Sequence, residues 1–186
     1  MMRIITGKAK GIRLETLEGV ATRPTSERVK EALFSTLQFD IEGRSVLDLF
    51  AGSGQLSLEA LSRGASHAVM VDRSKDAVKI IKQNIAKTKL GEACEVYNCE
   101  FSDYIRNNKG NKFDIVFIDP PYDSDLYKRA LNLLLEYEMI KSSTLIICES
   151  ETTNIFGNDE ALGEKFDLIK QSKYGRAVIN IYKMTI

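Results

Sequence analysis

Two stretches of this chain hold residues whose types and order can do chemistry. The first is Asp119-Pro120-Pro121-Tyr122, which follows four consecutive apolar residues, Ile115 to Ile118. Proline has no N–H to give a sheet ladder, so a buried strand must stop there. Its end then carries a carboxylate, a rigid backbone and an aromatic face. The Asp119 carboxylate and the Pro120 carbonyl can each accept an N–H from an exocyclic amino group, drawing the nitrogen toward tetrahedral geometry for an in-line attack. Pro120 and Pro121 hold that backbone with little entropy left to lose. Tyr122 offers a plane on which a flipped-out base can stack. The second stretch is "VLDLFAGSGQLSLEA", in which Asp48 and Phe50 lead into Ala51, Gly52, Ser53 and Gly54. Small residues at a strand-to-helix turn let the backbone approach a ligand at a helix N-terminus.

The details of that turn disfavour a dinucleotide. The third glycine of a G-x-G-x-x-G fingerprint is replaced by Ser57, and Asp48 would repel a pyrophosphate but could hold an ammonium. No P-loop pattern is present. Asp72, next to Arg73, ends a second apolar run and can accept hydrogen bonds from ribose hydroxyls. Glu100, next to Phe101, follows a third run, where an acid can receive an adenine amino group. Acids at three successive strand ends describe a ligand with adenine, ribose and a positive charge, which is S-adenosylmethionine.

The elements that must position these residues alternate. Strands are expected at "SVLDLF", "HAVMVD", "CEVYNC", "FDIVFID" and "STLIICES", with helices at "GQLSLEALSRG", "SKDAVKIIKQNIAK", "SDYIRN" and "DLYKRALNLLLEY". Such alternation predicts a parallel sheet covered on both faces. "KFDLIKQSKYGRAVINIYKM" breaks the pattern with two strands around Tyr174-Gly175-Arg176, a hairpin. Upstream, "RIITGKAKGIRL" reads as two short strands around a turn. "TRPTSERVKEALFSTL" reads as a helix capped by Thr25 or Ser26, with Val29, Ala32, Leu33, Thr36 and Leu37 inward and Arg28, Lys30 and Glu31 in water.

Charge is unevenly spread. Residues 1–30 carry seven basic and three acidic side chains, leaving +4 there and −4 on the rest of a chain of zero net charge. A basic arm on an acidic body suggests a polyanion at one end. Its candidate phosphate contacts are Arg3, Lys8, Lys10, Arg13, Arg23, Thr25 and Arg28, joined by Tyr174 and Arg176 at the C-terminal hairpin. Cys94, Cys99 and Cys148 lack metal spacing and are expected to be buried small hydrophobes, and with the lone His67 they make no zinc site. No apolar run reaches membrane-spanning length, and a cytoplasmic, metal-free monomer is expected.

"LDLFAGSG", "DPPY", "RIITGKAKGIRL", "TRPTSERVKEALF" and "EALSRGA" together resemble the bacterial family that methylates N2 of a guanine in small-subunit ribosomal RNA, the RsmD type. The resemblance implies a Rossmann-like class I S-adenosylmethionine-dependent methyltransferase fold, a seven-stranded sheet of order 3-2-1-4-5-7-6 with strand seven antiparallel. It implies an RNA-binding extension over residues 1–43 and a catalytic domain over 44–186. It assigns cofactor contacts to Asp48, Phe50, Ala51, Gly52, Ser53, Gly54, Asp72, Arg73, Glu100 and Phe101, and target-amine recognition to Asp119 through Tyr122. The implied partner is 16S rRNA or the assembling 30S subunit. A DNA methyltransferase, or one acting on adenine N6 of another RNA, is the alternative that shares "DPPY".

Overall fold

The computed structural model describes residues 2–17, 27–121 and 124–185. In chain order the elements are α1 (Glu27–Thr36), β1 (Ser45–Asp48), α2 (Gln55–Ser62), β2 (His67–Val71), α3 (Lys75–Thr88), β3 (Cys94–Tyr97), α4 (Phe101–Asn107), β4 (Ile115–Ile118), α5 (Ser124–Glu136), β5 (Leu145–Ser150), α6 (Glu160–Gly163), β6 (Phe166–Tyr174) and β7 (Ala177–Met184). The strands form one sheet of order β3-β2-β1-β4-β5-β7-β6, with β7 antiparallel to both neighbours. That is the order the resemblance implies.

Alternate residues of each central strand serve opposite faces. Val46, Ala68, Ile115, Phe117 and Ile147 pack under α1 and α2, and Leu47, Val69, Val116, Ile118 and Ile146 pack under α4 and α5. β4 is therefore buried along its whole length, and its four-residue apolar run is explained by layers on both sides. The strand order reverses between β1 and β4, which opens a crevice at their C-terminal ends. The glycine turn and Asp119 both project into that region from the sequence.

Residues 2–14 depart from the expected pair of strands. They form a hairpin-like loop with a single bridge between Arg3 and Arg13, closed by Ile4 N–H to Ile12 O at 2.9 Å and Leu14 N–H to Met2 O at 2.9 Å. Beyond the bridge the chain turns onto α2, where the Ile5 and Thr6 N–H groups donate to the Glu59 carboxylate at 2.8 and 3.0 Å. Ser62 holds the same loop three ways: its Oγ donates to Thr6 O at 2.6 Å and accepts from Ala9 N–H at 3.0 Å, and its carbonyl accepts from Lys8 N–H at 2.8 Å. Gly7 adopts φ +86° at this contact, and a Cβ there would lie 1.8 Å from the Ser62 carbonyl oxygen. Only glycine fits.

α1 requires a correction. Lys30, expected in water, is 1% exposed. Its ammonium donates to Arg3 O at 2.6 Å and lies 3.4 Å from Glu59 Oε2, and Arg63 closes on Glu59 Oε1 at 2.8 Å. Burial lowers the Lys30 pKa, and the Glu59 carboxylate opposes that shift. Phe34, absent from the expected stripe, is fully buried beside Leu33 and Leu37, and Ala32 is only half-buried. Cys94 and Cys99 also differ from expectation: both are partly exposed, because they lie on and after the edge strand β3, and Cys148 alone is buried. The expected caps Thr25 and Ser26 fall outside the described residues.

Glu59→Gln leaves the buried Lys30 ammonium and the Arg63 guanidinium facing a neutral amide. Removing one partner of a buried pair is expected to cost about 3–5 kcal/mol. Urea denaturation measures it, and a loss under about 1 kcal/mol would remove Glu59 as the anchor of the arm.

Candidate active site

A cleft of ≈ 600 Å³ opens at the C-terminal edge of the sheet, a volume ordinary for a small-molecule site. Phe50 through Ser53, Asp72, Arg73, Glu100, Phe101, Asp119, Pro120 and Pro121 all line it. Residues scattered over seventy positions thus meet because four parallel strands end side by side.

The glycine turn is built to be rigid and largely self-satisfied. Ala51 N–H donates to Val71 O at 3.0 Å, Gly54 N–H to Ala51 O at 2.7 Å, and Gly52 N–H to Asp72 Oδ2 at 2.8 Å. Gly52 and Gly54 take φ of +57° and +77°, the left-handed region that the turn demands. The Asn84 amide, fully buried on α3, donates to Ser53 O at 2.9 Å and to Glu15 O at 3.0 Å, tying the turn to the arm. These internal bonds leave few N–H groups to cradle a phosphate.

Asp72 uses one oxygen on Gly52 and the other on Ser74 N–H, each at 2.8 Å. Each carboxylate oxygen keeps a second acceptor direction. Burial raises the Asp72 pKa against the lowering effect of these two N–H groups. Glu100 stands at the rim in an exposed ion pair with Arg73, Nη1 to Oε1 3.5 Å. The Phe101 ring lies 5.0 Å from that of Phe50, with the Arg129 guanidinium 5.3 Å over its face. The two rings make an apolar wall between the acids.

Two of the sequence candidates lie behind the wall. Asp48 is 2% exposed, with its carboxylate accepting Ser57 Oγ at 3.1 Å and the Phe50 N–H, and Gly54 packs toward Met70 and Ile81. Burial pushes Asp48 up to about 7, helped by the negative charge of Asp72. Ser57, the residue that breaks the dinucleotide fingerprint, is fully buried as the partner of Asp48.

Asp119 follows β4, half-buried in the cleft floor. Burial raises its pKa well above the ordinary range, and the charges of Glu149 and Asp48 push the same way. Tyr122 falls outside the described residues. Glu149, at the end of β5, lines the cleft and was missed by the sequence reading, although the rule that found Asp72 applies to it equally: an acid at the C-terminal end of a parallel strand. Tyr127 of α5 donates its hydroxyl to the Glu149 carbonyl. Gln55, Glu151, Met2, Thr16 and Leu17 also line the cleft without having been anticipated. In all, the described lining carries five carboxylates against the single guanidinium of Arg73.

Lys8, Lys10, Arg13, Arg28 and Arg176 are exposed, and Tyr174 is half-buried. Arg3 is engaged in an exposed ion pair with Glu27. Arg23 and Thr25 lie outside the described residues. The arm reaches the cleft through Met2, Thr16 and Leu17, and the C-terminal hairpin reaches it through Ala177, next to Arg176. Among the described residues, no group of three or more His, Cys, Asp and Glu could hold a metal, and no helix is long and apolar enough to cross a membrane.

A family model described as conserved hypothetical protein 95 matches residues 2–183. The ribosomal RNA small subunit methyltransferase D of Haemophilus influenzae is 35% identical over 186 residues, covering 98% of this chain and 93% of that protein. Its namesake in Escherichia coli K12 is 37% identical over 153 residues, covering 82% and 76%. The solved structure of the Escherichia coli protein yhhF, 29% identical, superposes with a TM-score of 0.83 over 100% of this chain and 98% of that one. With the strand order above, the fold is the Rossmann-like class I methyltransferase fold.

The Asp48 shift has a signed consequence. A carboxyl raised in the folded state stabilises it fully only below the unfolded value near 3.8, and that contribution is lost as pH rises to about 7. Asp48→Asn removes the titration while keeping an acceptor oxygen for Ser57. Its stability relative to the native chain is expected to rise by about 4 kcal/mol between pH 4 and pH 8. Thermal melts across that range check it, and parallel curves would show that Asp48 does not titrate there.

Proposed function

We propose, from the premise that the chain belongs to the RsmD-type family described as conserved hypothetical protein 95, that it methylates N2 of a guanine in 16S ribosomal RNA, with S-adenosylmethionine as methyl donor. The single observation that carries the reading is that Asp72 and the Asp119-Pro120 pair line one cleft whose charge is almost wholly negative.

The cleft suits that donor by its chemistry. Five carboxylates would repel a dinucleotide's phosphates and favour a sulfonium and an ammonium. The spare acceptor directions of Asp72 suit ribose hydroxyls, and the Phe50 and Phe101 rings suit the flat adenine, with Glu100 at its edge. Bound there, S-adenosylmethionine supplies an electrophilic methyl carbon. The protein's own contribution is to hold the target. The amino nitrogen would donate one N–H to Asp119 and another to the Pro120 carbonyl, and the loss of planarity would localise its lone pair for attack. The raised pKa of Asp119 lets it take up the proton that the product nitrogen sheds, so activity falls as pH drops through that raised value. Tyr122 stacks on the extruded base. Residues 1–43 would serve as the RNA-binding extension to a catalytic domain over 44–186. The chain would act as a cytoplasmic, metal-free monomer on naked 16S rRNA or on assembling 30S particles.

The direct test offers undermethylated 30S particles, protein-free rRNA and DNA, followed by nucleoside analysis. N2-methylguanosine in 16S rRNA is expected, and methylated adenine in RNA or DNA would overturn the reading. Asp119→Ala is expected to lower turnover by a factor of about 10² or more with donor affinity within a fewfold. Turnover near that of the native chain would show that another group holds the amine.

The arm is assigned to phosphate. Changing Lys8, Lys10 and Arg13 to Ala should leave donor affinity intact, weaken RNA binding and flatten its salt dependence. The log–log slope is expected to fall by about 0.7–0.9 for each phosphate that is no longer neutralised. An unchanged slope in filter-binding titrations would make these side chains solvated charge only.

A further inference from the structure

Gln55 is the first residue of α2, directly after the glycine turn, and it lines the cleft. The residue is 8% exposed, and its Oε1 is the one buried side-chain polar atom without a hydrogen-bond partner among the described residues. Leaving an amide oxygen dry and unpaired costs stability, and native structures retain few such atoms. An unpartnered acceptor on a residue that lines a ligand cleft can take a donor brought by the ligand once a turn of the side chain presents the oxygen.

The surroundings restrict that donor. The N-terminus of α2 carries partial positive charge and favours a carboxylate, and the acids lining the cleft favour a cation. A group with both signs on one carbon, the ammonium and carboxylate of an α-amino acid, fits this corner. Asp48, the acid of the same turn, cannot make the contact itself, because it is buried behind the wall with Ser57 and the Phe50 N–H on its carboxylate. It acts on a positive charge only through space.

We propose that Gln55 Oε1 accepts an N–H from the α-ammonium of the cofactor's aminoacyl end and so makes the site discriminate between adenosyl thioethers that carry this end and those that lack it. The inference rests on the S-adenosylmethionine reading above. The test is calorimetric titration of the full chain and of Gln55→Met, which keeps the length but not the acceptor. The two probes are S-adenosylhomocysteine and 5′-methylthioadenosine, the second lacking the aminoacyl end. S-adenosylhomocysteine affinity is expected to fall about tenfold in the variant, with 5′-methylthioadenosine affinity unchanged within twofold. The ligand-free variant is expected to melt higher than the native chain, because an unpaired acceptor has been removed. Equal losses for both probes, no loss for S-adenosylhomocysteine, or a lower melting point would each overturn the role of Gln55. A native chain that binds neither probe would overturn the cofactor reading itself, and this inference with it.

Discussion

The Glu59 carboxylate is the constraint on which the positions of the arm, α1 and the cleft entrance depend. One fully buried side chain accepts from two backbone N–H groups of the arm and faces two cations from different helices. A buried carboxylate is tolerated only when it is neutralised and saturated with donors. Glu59 meets both conditions only if the arm, α1 and the end of α2 are all in place at once. The same requirement fixes Lys30, whose ammonium would otherwise be stranded, and Gly7, whose missing Cβ lets the arm backbone reach Ser62. The motif "EALSRGA" thus has a mechanical meaning: Glu59 and Ser62 are the grip of α2 on a segment some fifty residues away in sequence, and Arg63 ties Glu59 to the Phe34 carbonyl of α1.

From that grip, order passes to the ligand side through Asn84. Its buried amide bonds the arm at Glu15 and the glycine turn at Ser53 together. The turn then spends its N–H groups inward, on Val71, Ala51 and Asp72. That choice separates it from phosphate-binding turns, where such groups point at the ligand. What faces the cleft instead is carboxylate oxygen, which offers a ligand acceptors in place of donors.

The sheet was legible because its signals are local. A four-residue apolar run such as Ile115–Ile118 means burial on both faces whatever it packs against, and proline after it means a stop. The acids at the strand ends were legible for the same reason, since the C-terminal edge of a parallel sheet is common ground. What sequence could not show depended on partners far along the chain. Lys30 lies between Val29 and Glu31 on a polar stretch and looks solvated until Glu59, 29 residues on, is brought beneath it. Asp48 looked accessible because strand position says which edge it nears, but not whether a turn folds over it. The arm looked like paired strands because alternation cannot reveal that a distant carboxylate will take the N–H groups of Ile5 and Thr6. Gln55 gave no signal at all, since a glutamine at a helix start is ordinary until its oxygen is found without a donor.

The charge distribution sets a last condition on any RNA that uses this cleft. The interior is lined by five carboxylates and is hostile to phosphate at close range, where low dielectric strengthens repulsion. The exposed cations Lys8, Lys10, Arg13 and Arg176 belong to the segments that reach the cleft through Met2, Thr16, Leu17 and Ala177. On the proposed function, a nucleotide satisfies both regions only if it divides, with its phosphates outside near the cations and its neutral base inward. The base extrusion that the proposed chemistry needs for reach would then also suit the electrostatics. A duplex keeps its base edges between two phosphate strands and resists that division, and a single-stranded or loosened segment of folded RNA allows it.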